Sequence, residues 1–315
     1  MNKIKFCLFS DFHYWEGHYP QGIDKLEEIM SAANKENVDF VISCGDLCHN
    51  IPTSDKVQET YFRNPYKIPV YNCFGNHEQE AVDSTEEVCR IQNMKNTYEY
   101  YDFNGFRLII LDTNYFKDED GVIKRNPPHS YGRPDGDRLG PEQLSWLEEA
   151  INTSPYPCIL FSHASFEKGA EGSPDAAAVR EILQKANTEQ PGKVLMCCNG
   201  HYHRDNISVS DNILWFDVNA ALNVEWQPKI NTLFPEEFIN TARMTKNCCF
   251  SVDPLYAIVS VSDDGHIVIK GQKSDYLYGA SPEKLGWFLM TAQDDLLNHI
   301  FQMQMFGLKN KAFCR

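Results

Sequence analysis

Five apolar runs in this 315-residue chain each stop at a histidine, an aspartate or an asparagine. Ile4–Phe9 runs into Ser10-Asp11-Phe12-His13, and Phe40–Cys44 into Gly45-Asp46. Ile68–Phe74 ends at Gly75-Asn76-His77-Glu78, Cys158–Phe161 at Ser162-His163, and Val194–Cys198 shortly before Gly200-His201-Tyr202-His203. Helical spacing fills the gaps, over Ile23–Ala33, Ser54–Phe62, Pro141–Ile151 and Ala176–Ala186. Strands alternating with helices predict an α/β sheet, whose carboxyl ends line one rim where ligands bind. Polar residues far apart in sequence are therefore expected to converge.

The rest of the pattern is less regular. Tyr98–Phe103 and Phe106–Leu111, joined by Asn104-Gly105, read as a hairpin. Residues 117–138, rich in Gly, Pro and charge, read as an exposed loop, and Ile213–Val218 reads as one more strand. Tyr256–Ser262 and His266–Lys270 form a second hairpin. Residues from about 251 onward are expected to complete the second sheet and add a helix or two, and Asp294–Met305, apolar on one side, to cover the core or, as the alternative, a partner subunit. These divisions predict a main domain over residues 1–250 and a C-terminal extension over 251–315, a hairpin and helices packed on the same domain.

A net charge of −15 argues against a nonspecific nucleic-acid binder, which needs a basic face. An acidic chain still binds a phosphorylated molecule where metal ions reverse the local charge. The first apolar run is too short for a signal peptide, and no stretch is long enough for a membrane span. With 11 cysteines, several of them inside strands, a reducing cytoplasm is expected. Cys197-Cys198 and Cys248-Cys249 lack the spacing of a zinc ribbon.

Asp11, His13, Asp46, Asn76, His163, His201 and His203 form a mixed N/O donor set that suits Mn, Fe, Zn or Co without a thiolate. Seven donors exceed what one transition ion takes and suit two ions sharing a carboxylate. Such a pair generates a bridging hydroxide and clamps the oxygens of an in-line phosphoryl transfer.

In composition and order, these five blocks resemble the calcineurin-like metallophosphoesterases, and in particular the class III cyclic-nucleotide phosphodiesterase pattern, over roughly residues 4–222. The resemblance implies a four-layer αββα sandwich of two mixed β-sheets flanked by helices. It implies one ion on Asp11, His13 and His203, the other on Asn76, His163 and His201, and Asp46 bridging both. His77 would stand by the scissile phosphate, protonating the leaving oxygen or stabilising transition-state charge. The cofactors implied are two divalent or mixed-valence ions (Mn, Fe or Zn). The substrate implied is a small phosphomonoester, phosphodiester or pyrophosphate, a nucleotide among the candidates. A scaffold that keeps the fold without catalysis is the alternative, and such relatives usually lose ligands.

Other polar residues read as structural. His18, His129, His266 and His299 are expected to be solvated or structural, and His49 a loop histidine, with an approach to substrate as the alternative. Asp112, Asn114, Asn219 and Asn223 are expected to support the fold, and Glu78 to stand behind the ligands or in solvent. Tyr14, Trp15 and Tyr19 follow the first motif and either wall a pocket or pack a loop.

Overall fold

The computed structural model describes residues 1–15, 22–49, 54–80, 82–130, 132–167, 172–226, 230–241, 246–286, 300–304 and 313–314. Its strands begin with β1 (Lys3–Phe9), β2 (Phe40–Ser43), β3 (Val70–Asn72), β4 (Glu99–Phe103), β5 (Phe106–Ile110), β6 (Tyr115–Lys117), β7 (Ile123–Arg125) and β8 (Cys158–Phe161). They continue with β9 (Val194–Asn199), β10 (Asn206–Ser210), β11 (Ile213–Asp217), β12 (Asn223–Trp226), β13 (Cys248–Phe250), β14 (Ala257–Ser262), β15 (His266–Gly271), β16 (Ile300–Gln304) and β17 (Phe313–Cys314). The helices are α1 (Ile23–Lys35), α2 (Asp55–Val57), α3 (Thr85–Ile91), α4 (Pro141–Asn152), α5 (Ala176–Glu189) and α6 (Glu236–Thr241), with α2 widening into a π-helical turn over Gln58–Phe62.

Two sheets carry the fold. One has seven strands in the order β17-β16-β15-β14-β1-β2-β3, the other six in the order β10-β11-β9-β8-β5-β4. Side-chain alternation along each strand explains the layers. Ile4, Phe6 and Leu8 of β1 meet Phe106, Leu108 and Ile110 of β5 in the core between the sheets. Cys7 and Phe9 point the other way, against Leu26, Ile29, Met30 and Ala33 of α1. On the far side, Ile109, Leu160 and Trp215 pack against Leu147 of α4 and Leu183 of α5. Helix, sheet, sheet, helix: this is the expected αββα sandwich.

Phe6 joins the two sheets, stacked on Phe40 with centroids 5.0 Å apart and edge-on to Phe161 at 5.7 Å. Phe6→Ala is expected to cost about 3–5 kcal/mol, read as a lower urea midpoint at unchanged slope.

Strand direction then places the site. β1, β2 and β3 are mutually parallel, and so are β5, β8, β9 and β11. A parallel bridge from Ser10 to Ala220 and the bond Ala221 N–H to Ser10 O join the carboxyl end of β1 to the segment after β11. The carboxyl ends of both sheets therefore share one edge.

Several expectations need correction. Residues 117–138 are not a bare loop: they hold the β6–β7 hairpin and bury Asn126. Strand β10 pairs antiparallel with β11 at the sheet edge, and its mixed burial gave no clean alternation to read. Within the apolar stretch at 294–305, residues 300–304 are a strand paired with β15, not a helix. An apolar stripe suits either element, and an open sheet edge at β15 decides it. His299 and the remainder of that stretch lie outside the described residues, as do His18 and Tyr19. The ten described cysteine side chains are buried free thiols. Among the described residues, no helix is long and apolar enough to cross a membrane.

Candidate metal centre

Beyond their last ladder residues β1 and β2 stay zipped together. Asp11 N–H donates to Gly45 O at 3.0 Å, His13 N–H to Asp46 O at 2.9 Å and Tyr14 N–H to Leu47 O at 3.0 Å. This pairing brings Asp11, His13 and Asp46 side by side. Five of the seven anticipated ligands adopt a left-handed backbone: Asp11 (φ 51°), His13 (49°), Asp46 (53°), His201 (71°) and His203 (53°). For residues with a Cβ this conformation costs on the order of 1 kcal/mol or more each. Ten other described non-glycine residues are left-handed as well, so what sets these five apart is that they meet at one rim.

Two glycines make the close approach possible. Gly45 has φ 104°, and a Cβ there would sit 2.7 Å from His163 Nδ1. A Cβ on Gly200 would overlap Ser10 Oγ and Asp11 Oδ2, the latter being the acceptor of the His201 N–H at 2.9 Å. Gly200→Ala is therefore expected to displace Asp11 and cost about 1–3 kcal/mol, read as a lower Tm together with reduced metal content.

The side chains form two groups around one carboxylate. In the first, His13 Nε2 and His203 Nε2 are 3.2 Å apart, with Asp11 Oδ1 at 3.7 Å and 3.4 Å from them respectively. In the second, His163 Nε2 faces Asp46 Oδ2 at 3.1 Å, Asn76 Oδ1 at 3.0 Å and His201 Nδ1 at 3.1 Å. Asp46 Oδ2 also lies 3.7 Å from His13 Nε2, so this oxygen stands between the groups. All seven anticipated ligands are thus brought together.

The donor chemistry tests whether cations fit. His163 Nδ1 lies 2.8 Å from the carbonyl oxygen of Cys44, which only accepts, so Nδ1 carries a proton. Nε2 then faces two oxygens and a nitrogen with at most one proton to offer. One proton satisfies one of these contacts; one metal ion satisfies all of them. Burial opposes charge on His163, but Asp46 and Asp11 outweigh it and hold its pKa well above the usual value. Burial would likewise raise Asp46 and Asp11, yet the surrounding imidazoles keep both carboxyls well below the normal range. His13, wholly buried, is pushed down to about 4 by desolvation, which favours the neutral ring a metal needs. The residues fit two cations.

A supporting shell fixes these positions. Glu78, fully buried, accepts the backbone N–H of Leu47 at 2.7 Å and of Asp46 at 3.1 Å. Burial and the charge of Asp46 push its pKa up to about 8. Asp46 Oδ1 accepts the backbone N–H of His77 at 2.8 Å. The His77 ring sets Nδ1 3.1 Å from Glu80 Oε2 and Nε2 3.9 Å from Asp46 Oδ2. Burial lowers its pKa, but Asp46 and Glu80 prevail and raise it.

Asp112 and Asn114 serve the framework: Asp112 accepts from Arg125 at 2.9 Å, and Asn114 donates to Phe74 O at 2.9 Å. Asn219 is tied to Asp205. His129 is an exposed ring 3.0 Å from Asp83, and His266 lies in β15. Only the backbone of Asn223 is described, in β12.

Two more residues stand near the centre: His49, expected first as a loop histidine, and Asp137, which the sequence did not single out. The His49 ring lies 4.5 Å from that of His77 and 4.6 Å from Trp15, and with His13 and His77 it forms a third cluster of imidazoles. Asp137 places Oδ2 3.5 Å from His201 Nε2. His49 stands three residues after Asp46, a faint signal, while nothing local marks Asp137 inside its loop. Trp15 walls the site and also packs on the Phe234 cluster.

Fold and site together define a metal-dependent phosphoesterase built for two ions. The model of the calcineurin-like phosphoesterase family matches residues 4–205, and the chain belongs to that family. Among solved structures, it is similar to a dimetal phosphatase from Danio rerio, at 16% identity and TM-score 0.61, covering 88% of this chain and 99% of that one. It is also similar to the purple acid phosphatase PPD1 of yellow lupin, at 14% identity and TM-score 0.51, covering 86% of this chain and 51% of the other. A third is GAP50, the anchor in the inner membrane complex of Plasmodium, at 12% identity and TM-score 0.52, covering 86% and 84%. At these identities the likeness is one of fold. No curated protein sequence matches the chain.

Proposed function

We propose that the chain hydrolyses a phosphoric ester or anhydride bond of a small organic phosphate, with Asp11, His13 and His203 holding one ion and Asn76, His163 and His201 the other. Asp46 is shared between them. The observation that carries this reading is the crowding of Asp46 Oδ2, Asn76 Oδ1 and His201 Nδ1 around His163 Nε2, a nitrogen with at most one proton to give. Divalent Mn, Fe or Zn, bound there, would supply Lewis acidity and lower the pKa of water.

The protein's own groups do the rest. Glu80 holds the His77 ring through Nδ1 and favours its protonated form. Nε2 then presents a proton on the side of Asp46, in position to be delivered to the departing oxygen. The rings of His77, His49 and Trp15 stand in a row, which supports an organic leaving group lying along them. Glu78 and the His77 backbone fix Asp46 from behind, so the charges are pre-arranged before substrate arrives. The scaffold alternative expects an eroded ligand set, and here all seven residues stand together.

The test is hydrolysis by the purified protein, with added Mn²⁺, of p-nitrophenyl phosphate, bis-p-nitrophenyl phosphate and a panel of nucleotides. Turnover that depends on metal and stops with chelator supports the reading. No turnover on any of them contradicts it.

A further inference from the structure

A cleft of about 650 Å³ opens between α3, the connection at 94–98 and α4, and no residue of the metal centre lines it. Its volume is that of a small-molecule site. One wall is the Trp146 indole, with Tyr98 edge-on at 4.9 Å and Tyr100 stacked at 6.2 Å. Tyr100 in turn carries the Arg107 guanidinium 3.9 Å from its ring centre, and Arg107 is anchored on Asp102 and Ala150 O. The indole is thus backed by a fixed stack where it lines the cleft.

The same cleft is lined by Arg90 and Lys95, both exposed. In a chain of net charge −15, cations normally find carboxylates, as Arg63, Arg107, Arg125, Arg138 and Arg180 do here. Among the described residues Arg90 has no ion pair; Lys95 makes no close ion pair but lies near the buried Glu99, whose charge it helps to stabilise. Arg90 makes no ion pair with Glu86, one turn back on the same helix, where the spacing would allow one. A guanidinium and an ammonium together match a phosphate dianion. An indole face matches a planar base. Glu86 and Asn96, on the same cleft, offer hydrogen bonds to sugar hydroxyls.

We propose that this cleft is a second, non-catalytic site for a nucleoside monophosphate, with the phosphate on Arg90 and Lys95 and the base on Trp146. It stands independently of the metal centre.

The experiment is calorimetric titration of adenosine 5′-monophosphate into the metal-loaded protein and into its Asp46→Asn variant, whose metal centre is disabled. Saturable binding is expected to persist in Asp46→Asn. Adding Arg90→Ala and Lys95→Ala is expected to weaken it at least roughly tenfold, and Trp146→Ala by roughly 5- to 100-fold. Inorganic phosphate is expected to bind more weakly than the nucleotide. The proposal is overturned if no saturable binding occurs, if binding is lost in Asp46→Asn but kept in Arg90→Ala/Lys95→Ala, or if inorganic phosphate matches the nucleotide. Unaltered hydrolysis of an artificial substrate by Arg90→Ala/Lys95→Ala shows that this variant remains folded.

Discussion

Asp46→Asn is expected to empty the centre of metal and remove turnover while the protein stays folded. Asp46 Oδ2 stands between the two donor groups, 3.1 Å from His163 and 3.7 Å from His13, so an amide there removes the charge both ions would share. The loss in metal affinity should exceed the roughly 10–100-fold seen when a merely supporting residue is lost. The fold survives because an asparagine oxygen still accepts the His77 N–H that Oδ1 accepts now. Elemental analysis and a thermal melt separate the two effects. Full metal content at full rate in this variant would remove Asp46 from its place in the site.

His77→Ala is expected to do the opposite, keeping metal and losing chemistry. The ring belongs to neither three-donor group around Asp46, and the backbone N–H that positions Asp46 is retained in alanine. Turnover should fall by roughly 10²–10⁴, the usual share of a positioned proton donor. The loss should fall on kcat rather than on KM, since the proton is delivered only as the bond breaks. Metal content measured on the same sample completes the result. A variant with unchanged kcat would leave His77 without the role given to it.

The site was legible because its residues sit at one repeated position, the end of an apolar run. A strand buried on both faces reads as continuous hydrophobicity, and the first polar residue after it marks the rim. That logic found Asp11, Asp46, Asn76, His163 and His201, and the paired spacings supplied His13 and His203. Strand–helix alternation by itself indicates a parallel α/β sheet with crossover helices; the second sheet is an implication of the family resemblance. What that logic did not reach follows other rules. His49 and Asp137 reach the centre through the path of a loop, which no periodicity encodes. Strand β10 is half exposed on an edge, and β6–β7 is a short hairpin inside a stretch whose glycines and prolines signal turns. The left-handed backbone at five of the site residues is likewise invisible in sequence, since aspartate and histidine adopt it in ordinary turns too, as Asp135, Asp211 and His129 do.

The most direct test of the two-ion centre is anomalous diffraction from crystals of the protein soaked in Mn²⁺. Two peaks about 3.5–4 Å apart are expected. One should be bounded by Asp11, His13 and His203, the other by Asn76, His163 and His201, with the Asp46 carboxylate between them. A single peak, or manganese bound away from Asp46, would contradict a two-ion centre.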